Sequence, residues 1–397
     1  MKYVIFFTLF ISINVYAQNL AEILKLSKVS NKAKSILEKT KSQIAQNELY
    51  ATNEAPALGV TLSHAKESVE KGSEYSLGFS QKLTHPFAAS QKERGVVQLS
   101  KAIEQETKHE LHLLTLDVAS KYHNACVSKE MRDKATVLYE EQSKRVAQIQ
   151  KAYELGEISK KDLLFNKLDL AKLHQNVNNY KRTYVSELAG LQERVDTLAI
   201  NDIDCNDLLT PTRHVELKPI HEHDELKSIE YKMHASKAFY GVHDSSFSSL
   251  GYEFLYEKEL NTQRYTVGLT FPLDALSSQK EKLRAQQLFM SSSYAFEKAS
   301  LESEIQNSSN AFVSKLESLY DELSLLKDEI VPLNEELASL SKKAFDEGEG
   351  NIMEYLDATR SYSYNLLGML EVKKTYYNEL FELYKKADLD FGENNAQ

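Results

Sequence analysis

Glu354 and Asp357 stand three residues apart in a stretch of good helix formers, a spacing that sets two carboxylates on one helix face. Such a pair can hold a cation, repel its own copies across a symmetry axis, or form an ordinary solvated acidic face. Other chemistry-bearing groups are sparse. His221-Glu222-His223-Asp224 follows Pro219 and reads better as the solvated start of a short helix than as a metal site. His109 and His112 share a helix face with no Cys and no third evident ligand nearby. No glycine-rich phosphate loop, zinc-protease helix or nucleophile elbow occurs. The sequence therefore presents no catalytic site and no cofactor motif, and an enzyme is not expected.

The elements that would position these residues are long. The chain has 397 residues, with 13 Gly and 6 Pro, too few for anything but extended, uninterrupted elements. Its 48 Lys+Arg against 58 Asp+Glu leave a net charge of -10 and no basic footprint for nucleic acid. Residues 1–17 read as an export signal: Lys2, an apolar run from Tyr3 to Ile13, then Val15-Tyr16-Ala17 before Gln18. That run is too short to span a bilayer as a helix, and no later stretch approaches the roughly 20 apolar residues required. Export places Cys126 and Cys205 in an oxidising compartment, where pairing is open to them and the sequence does not decide it.

Val96 to Leu155 contains neither Gly nor Pro, and Leu273 to Glu347 contains only Pro332, so each stretch is expected to form one long helix. At 1.5 Å per residue each is a rod of roughly 90 to 110 Å. The rods end at Gly156 and Gly348, which suit left-handed caps, and Ser159 and Asn351 suit the N-caps of returning helices. A shift of 192 residues superposes these turns, aligning Ala152 with Ala344, Tyr153 with Phe345 and Leu164 with Leu356, so the chain reads as an internal duplication. The returning helices carry an apolar seam at Leu173, Val177, Tyr180, Tyr184, Leu188, Leu191 and Val195, and again at Met369, Val372, Tyr376, Leu380 and Leu383. Pro332 has no counterpart at Glu140 and is expected to bend the second rod alone.

Around the Gly and Pro clusters the period falls to two. Leu58 to Leu62, Leu77 to Leu83, Leu250 to Tyr256 and Tyr265 to Phe271 read as four strands in two hairpins, one per repeat. Leu250, Tyr252, Phe254 and Tyr256, with Tyr265, Val267, Leu269 and Phe271, form a large apolar face opposite small and polar residues, as lipid-facing strands do. A barrel in lipid has no free edges, and the smallest have about eight strands, so four strands require association. Two copies give a filled barrel; three give one wide enough for a passage.

With its export signal, duplicated helix-hairpin-helix plan, Tyr/Phe-x-x-Gly turns and the strand end Gly268-Leu269-Thr270-Phe271-Pro272, the whole mature chain resembles the TolC family of outer-membrane efflux proteins. The resemblance implies a mainly α fold: long helical hairpins forming an α-barrel, plus two β-hairpins giving four strands to a trimeric twelve-strand transmembrane barrel. It implies an exit duct in the outer membrane of a Gram-negative bacterium, with helices extending into the periplasm. Such a duct is a passive conduit of a tripartite efflux or type I secretion system, coupled through a periplasmic adaptor to an inner-membrane RND or ABC pump. The implied domains are a signal peptide at 1–17, repeats at 18–205 and 206–388, and a tail at 389–397. The resemblance places Glu354 and Asp357 at the channel constriction and adaptor docking on the turns at Gly156, Ile158, Ser159, Gly348 and Asn351. Of the family's tip lock, Asp162 is present, whereas Phe345 lacks the hydroxyl and Gly350 replaces the Arg, so closure must rest on other contacts. The alternative from a different class is a periplasmic adaptor or coiled-coil scaffold without a channel.

Overall fold

A computed structural model describes residues 17–66, 71–197, 200–243, 249–272 and 278–391. Residues 1–16 of the expected export signal lie outside the described residues. The chain divides into two compact units, each built from both halves of the sequence: a sheet unit of Ile36–Glu110 with Pro219–Ile305, and a helical unit of the remainder.

In the sheet unit, β1 (Ala57–Lys66), β2 (Lys71–Thr84), β3 (Ser249–Lys258) and β4 (Gln263–Thr270) form one antiparallel sheet in the order β1-β2-β3-β4. The alternation expected from sequence fixes its register. Leu58, Phe79, Phe254 and Val267 are successive cross-strand partners, as are Val60, Leu77, Tyr256 and Tyr265, so large apolar side chains share one face. Gly59, Gly78, Leu255 and Thr266 lie in register on the other face. Strands are longer than read, and Phe271 lies one residue beyond β4. Helices α2 (Asn31–Leu49), the start of α3 (Pro86–Glu154), α5 (Asp224–Val242) and the start of α6 (Ser278–Leu325) complete the unit. Gly95 and Gly241 sit inside α3 and α5. A Cβ on Gly95 would come within 2.6 Å of the Phe239 ring, so this glycine permits a close helix crossing.

The helical unit contains α1 (Leu20–Lys28), the remainder of α3, α4 (Lys160–Val195), the end of α6, α7 (Val331–Asp346) and α8 (Ile352–Lys386). The first rod is one helix. The second is not: a π-turn at Leu326–Ile330 separates α6 from α7, and Pro332 occupies the first turn of α7. Proline has no N–H for the preceding turn, and the wider turn accommodates that loss. Just past it, Asn334 Nδ2 donates to the Ile330 carbonyl at 2.6 Å. The returning-helix seams are buried largely as read, with Tyr184, Leu191, Tyr376, Leu380 and Leu383 in the core; Val372 lines an open groove.

The segment after α4 crosses this unit as a belt. Asp196 and Asp388, again 192 residues apart, both take left-handed φ values, 54° and 52°, just beyond α4 and α8. Tyr377 Oη donates to Leu209 O at 2.5 Å, Tyr376 Oη to Thr212 O at 2.8 Å and Tyr122 Oη to Asp204 O. Burial, followed by the nearby carboxylates, pushes the Tyr122 hydroxyl up to about 12, which keeps it a neutral donor. Cys126 and Cys205 are bridged, with Cα atoms 5.5 Å apart, tying the belt to α3. Gln18 pairs with Ile203 beside this bridge, while Leu389 and Phe391, in the expected tail, pack against the same core.

His123 lies fully buried beneath the belt. Its Nδ1 donates to Ala119 O at 2.8 Å and its Nε2 accepts from Leu209 N–H at 3.0 Å, which specifies the neutral tautomer. Burial lowers its pKa from 6.5 to about 4. The folded site therefore refuses, until about pH 4, a proton that the unfolded chain accepts below 6.5. Its contribution is complete above pH 6.5 and falls by roughly 3 kcal/mol as pH drops to 4. Denaturant titrations at pH 7 and 4.5 should show this slope in the native protein and a shallower one in His123→Gln. The bridge spans 79 residues, so reduction or Cys126→Ser should cost about 4.5 kcal/mol by loop-closure entropy, read as a lower denaturation midpoint.

Candidate functional site

The two hairpin turns have the same backbone construction. Gly156 takes φ 79°; its N–H donates to Tyr153 O at 3.0 Å and Glu157 N–H donates to Ala152 O at 2.9 Å. Gly348 takes φ 78°; its N–H donates to Phe345 O at 3.0 Å and Glu349 N–H to Ala344 O at 2.9 Å. Ser159 caps α4 by accepting from Asp162 N–H at 3.2 Å, and its hydroxyl donates back to the Asp162 carboxylate at 2.6 Å. Asn351 caps α8 by accepting from Met353 N–H at 2.9 Å. Ile158 is partly buried against Ile149, Leu163 and Leu356, whereas Leu155, not singled out by sequence, is 76% exposed beside Gly156. Gly350 is sterically required: a Cβ there would lie 2.9 Å from Ala344 Cβ and 3.0 Å from its carbonyl carbon.

Glu354 and Asp357 are both exposed near the start of α8. Asp357 is not a lone charge, because Arg360 Nη1 donates to it at 2.7 Å. The same guanidinium donates Nε and Nη2 to Asp169 of α4 at 2.8 and 2.6 Å. Eleven residues further on, Tyr180 Oη donates to Glu371 at 2.9 Å. Both links span 191 residues, so α4 and α8 run side by side in parallel, bordering a groove of about 760 Å³. Burial, then the Glu371 contact, raises the Tyr180 pKa well above the ordinary phenol value.

Phe345 closes the second turn by stacking on Tyr355, with centroids 6.1 Å apart and planes 17° apart. On the other helical hairpin, Arg145 of α3 lies over Tyr355, 5.6 Å from its centroid, and its Nη1 reaches the hydroxyl at 3.4 Å. Arg145 is 9% exposed, and its Nε and Nη2 are buried without a hydrogen-bond partner. Among the described residues no group of three or more His, Cys, Asp or Glu could hold a metal ion. His223 instead caps α5, accepting from Glu225 N–H at 3.3 Å.

No family model matches the sequence, and no curated protein does. Solved structures match over most of their length. The outer-membrane channel OprN superposes with a TM-score of 0.76 at 13% identity, covering 94% of this chain and 90% of that one. The outer membrane protein VceC from Vibrio cholerae gives 0.75 at 11%, covering 93% and 95%. The CmeC outer membrane channel of Campylobacter jejuni gives 0.75 at 14%, covering 94% and 86%. The chain has the fold of these outer-membrane channels. The mainly α fold with long helical hairpins and two β-hairpins giving four strands, expected from the TolC resemblance, is thus borne out.

Within this channel fold, sequence reasoning located the turns, their caps and the acidic pair, but missed Arg360, Asp169, Arg145 and Tyr355. A usable signal existed for the first two, since their spacing is one residue short of the repeat shift. Arg145 interrupts the buried positions Gln142, Val146 and Ile149 of α3, the kind of break that marks a specific partner. Gly156→Ala and Gly348→Ala should each cost about 1 kcal/mol, because L residues resist positive φ; Gly350→Ala should also destabilise, by contact with Ala344. Hydrogen exchange at the turn amides would read all three.

Proposed function

We propose that the chain is the outer-membrane channel of a tripartite efflux or type I secretion system. It works as a homotrimer and as a passive conduit, coupled through a periplasmic adaptor to an inner-membrane RND or ABC pump. One observation carries this reading: a four-stranded antiparallel sheet whose apolar face is uncovered among the described residues, with Leu62 79% and Tyr265 75% exposed, and whose outer strands β1 and β4 each keep an edge unpaired by any described strand. Pairing β4 of one copy with β1 of the next removes both edges, and three copies give twelve strands, enough for an open lumen. Leu250, Tyr252, Phe254, Tyr256, Tyr265, Val267, Leu269 and Phe271 would then face lipid, leaving a face mostly of Gly, Ser, Thr and charged residues, with Leu255, to line the inside. A scaffold without a channel leaves that apolar face unexplained.

In the trimer, Glu354 and Asp357 would ring the periplasmic constriction, favouring cations. Arg360 donates to both Asp357 and Asp169 and so partly neutralises the ring while holding α8 beside α4. The turns at Gly156, Ile158, Ser159, Gly348 and Asn351 would receive the adaptor, with Asp162, Phe345 and Gly350 shaping the closed tip. Pro332 and its π-turn give the second hairpin alone a point of bending.

Purified protein in a planar bilayer should conduct, and fractionation should place it in the outer membrane. Glu354→Gln with Asp357→Asn should lower the cation-to-anion permeability ratio severalfold. A soluble, non-conducting product would overturn the channel reading.

A further inference from the structure

The duplication makes the contacts within one chain a template for contacts between copies. In the helical unit the two hairpins meet where α3 faces α8. Lys373 donates to Glu130 there at 2.8 Å, and Arg145 covers Tyr355. If copies are arranged in a ring, the equivalent seam sets α6 and α7 of one copy against α4 of the next, with every partner moved by 192 residues. Glu130 and Lys373 then become Glu322 and Lys181 of a second copy, two exposed residues that retain opposite charge. Arg145 and Tyr355 become Leu337 and Leu163, and the ion pair of Asp169 with Arg360 becomes Ser361 and Leu168. The surfaces available for that second seam fit it. Leu333, Leu337 and Leu340 form an uncovered stripe on α7, 52 to 63% exposed, and Leu164 and Leu168 form one on α4.

We propose that these two leucine stripes pack on each other between copies, and that the tip opens along the seam within each chain. This deepens the channel reading and rests on it. The between-copy seam is apolar near the tip, so parting it would expose leucines to water. The within-chain seam holds Arg145 with two buried, unpartnered nitrogens, which gain water when the seam parts. The same fold therefore has one kind of seam that resists hydration and one that invites it.

Paired cysteines separate the seams. Leu164→Cys with Leu337→Cys should give a covalent ladder of copies on a denaturing gel and leave bilayer conductance unchanged after oxidation. Arg145→Cys with Tyr355→Cys should give no ladder and should hold conductance at its lowest level until reduced. A ladder from the second pair, no ladder from the first, or loss of conductance on oxidising the first overturns the proposal. Should the cysteine variants fail to fold, Glu322→Lys and Lys181→Glu should each weaken the trimer in detergent and restore it when combined; no restoration counts against the between-copy seam. A wild-type protein that forms the trimer but carries no current defeats the channel reading, while the ladder still reports on the packing.

Discussion

A β-sheet cannot stop at an open edge in a medium that offers its backbone no hydrogen bonds, and on the proposed channel reading that constraint governs the rest of this structure. Four strands with an apolar outer face satisfy neither water, which the aromatic face repels, nor lipid, which β1 and β4 cannot meet unpaired. On the proposed channel reading the chain is consequently a fraction of an assembly. Its exposed leucines and tyrosines, which in a solitary protein would be aggregation hazards, are what an assembly of copies would bury.

The helical unit meets a different demand. Its long amphipathic helices have one narrow apolar seam each, so stability has to come from places where several seams converge. The belt after α4 is such a place: tyrosine hydroxyls from α3, α4 and α8, a neutral buried histidine and a disulfide all fasten it. Tyr184 illustrates the chemistry, since burial followed by its hydrogen bond to Asp202 pushes its pKa up to about 12, keeping it a donor. Each hydroxyl donates to a belt carbonyl or carboxylate.

Much of this plan was legible in the residues. Period two against period 3.6 separated strands from rods; the glycines at 156 and 348 located both turns; and the 192-residue shift paired them down to the identity of the bonded carbonyls. The acidic pair was visible because i, i+3 spacing is a local property. What escaped was long-range. Arg360 meets Asp169 only because two returning helices lie in parallel, and Arg145 meets Tyr355 only because two hairpins abut. Whether Cys126 met Cys205 was likewise undecidable, since a belt of irregular backbone has no periodicity to place it. Pro332 was seen as a bend in a continuous rod, but the π-turn it requires lies upstream, in residues without any distinguishing composition.

The distribution of packing then bears on motion. Beneath the belt, Tyr122, Tyr376, Tyr377 and Phe381 are almost wholly inaccessible and belong to one large cluster. Near the turns only Ile149, Leu163 and Leu356 are buried together, and Phe345 remains 37% exposed even while stacked. Regions with few buried apolar contacts open at lower free energy than the cores they extend from. A bundle fastened firmly at its belt and lightly at its turns can displace its turns without unfolding. On the proposed opening, sequence differences between the two hairpins decide which contacts yield, because water stabilises a freed guanidinium and offers nothing comparable to a freed leucine.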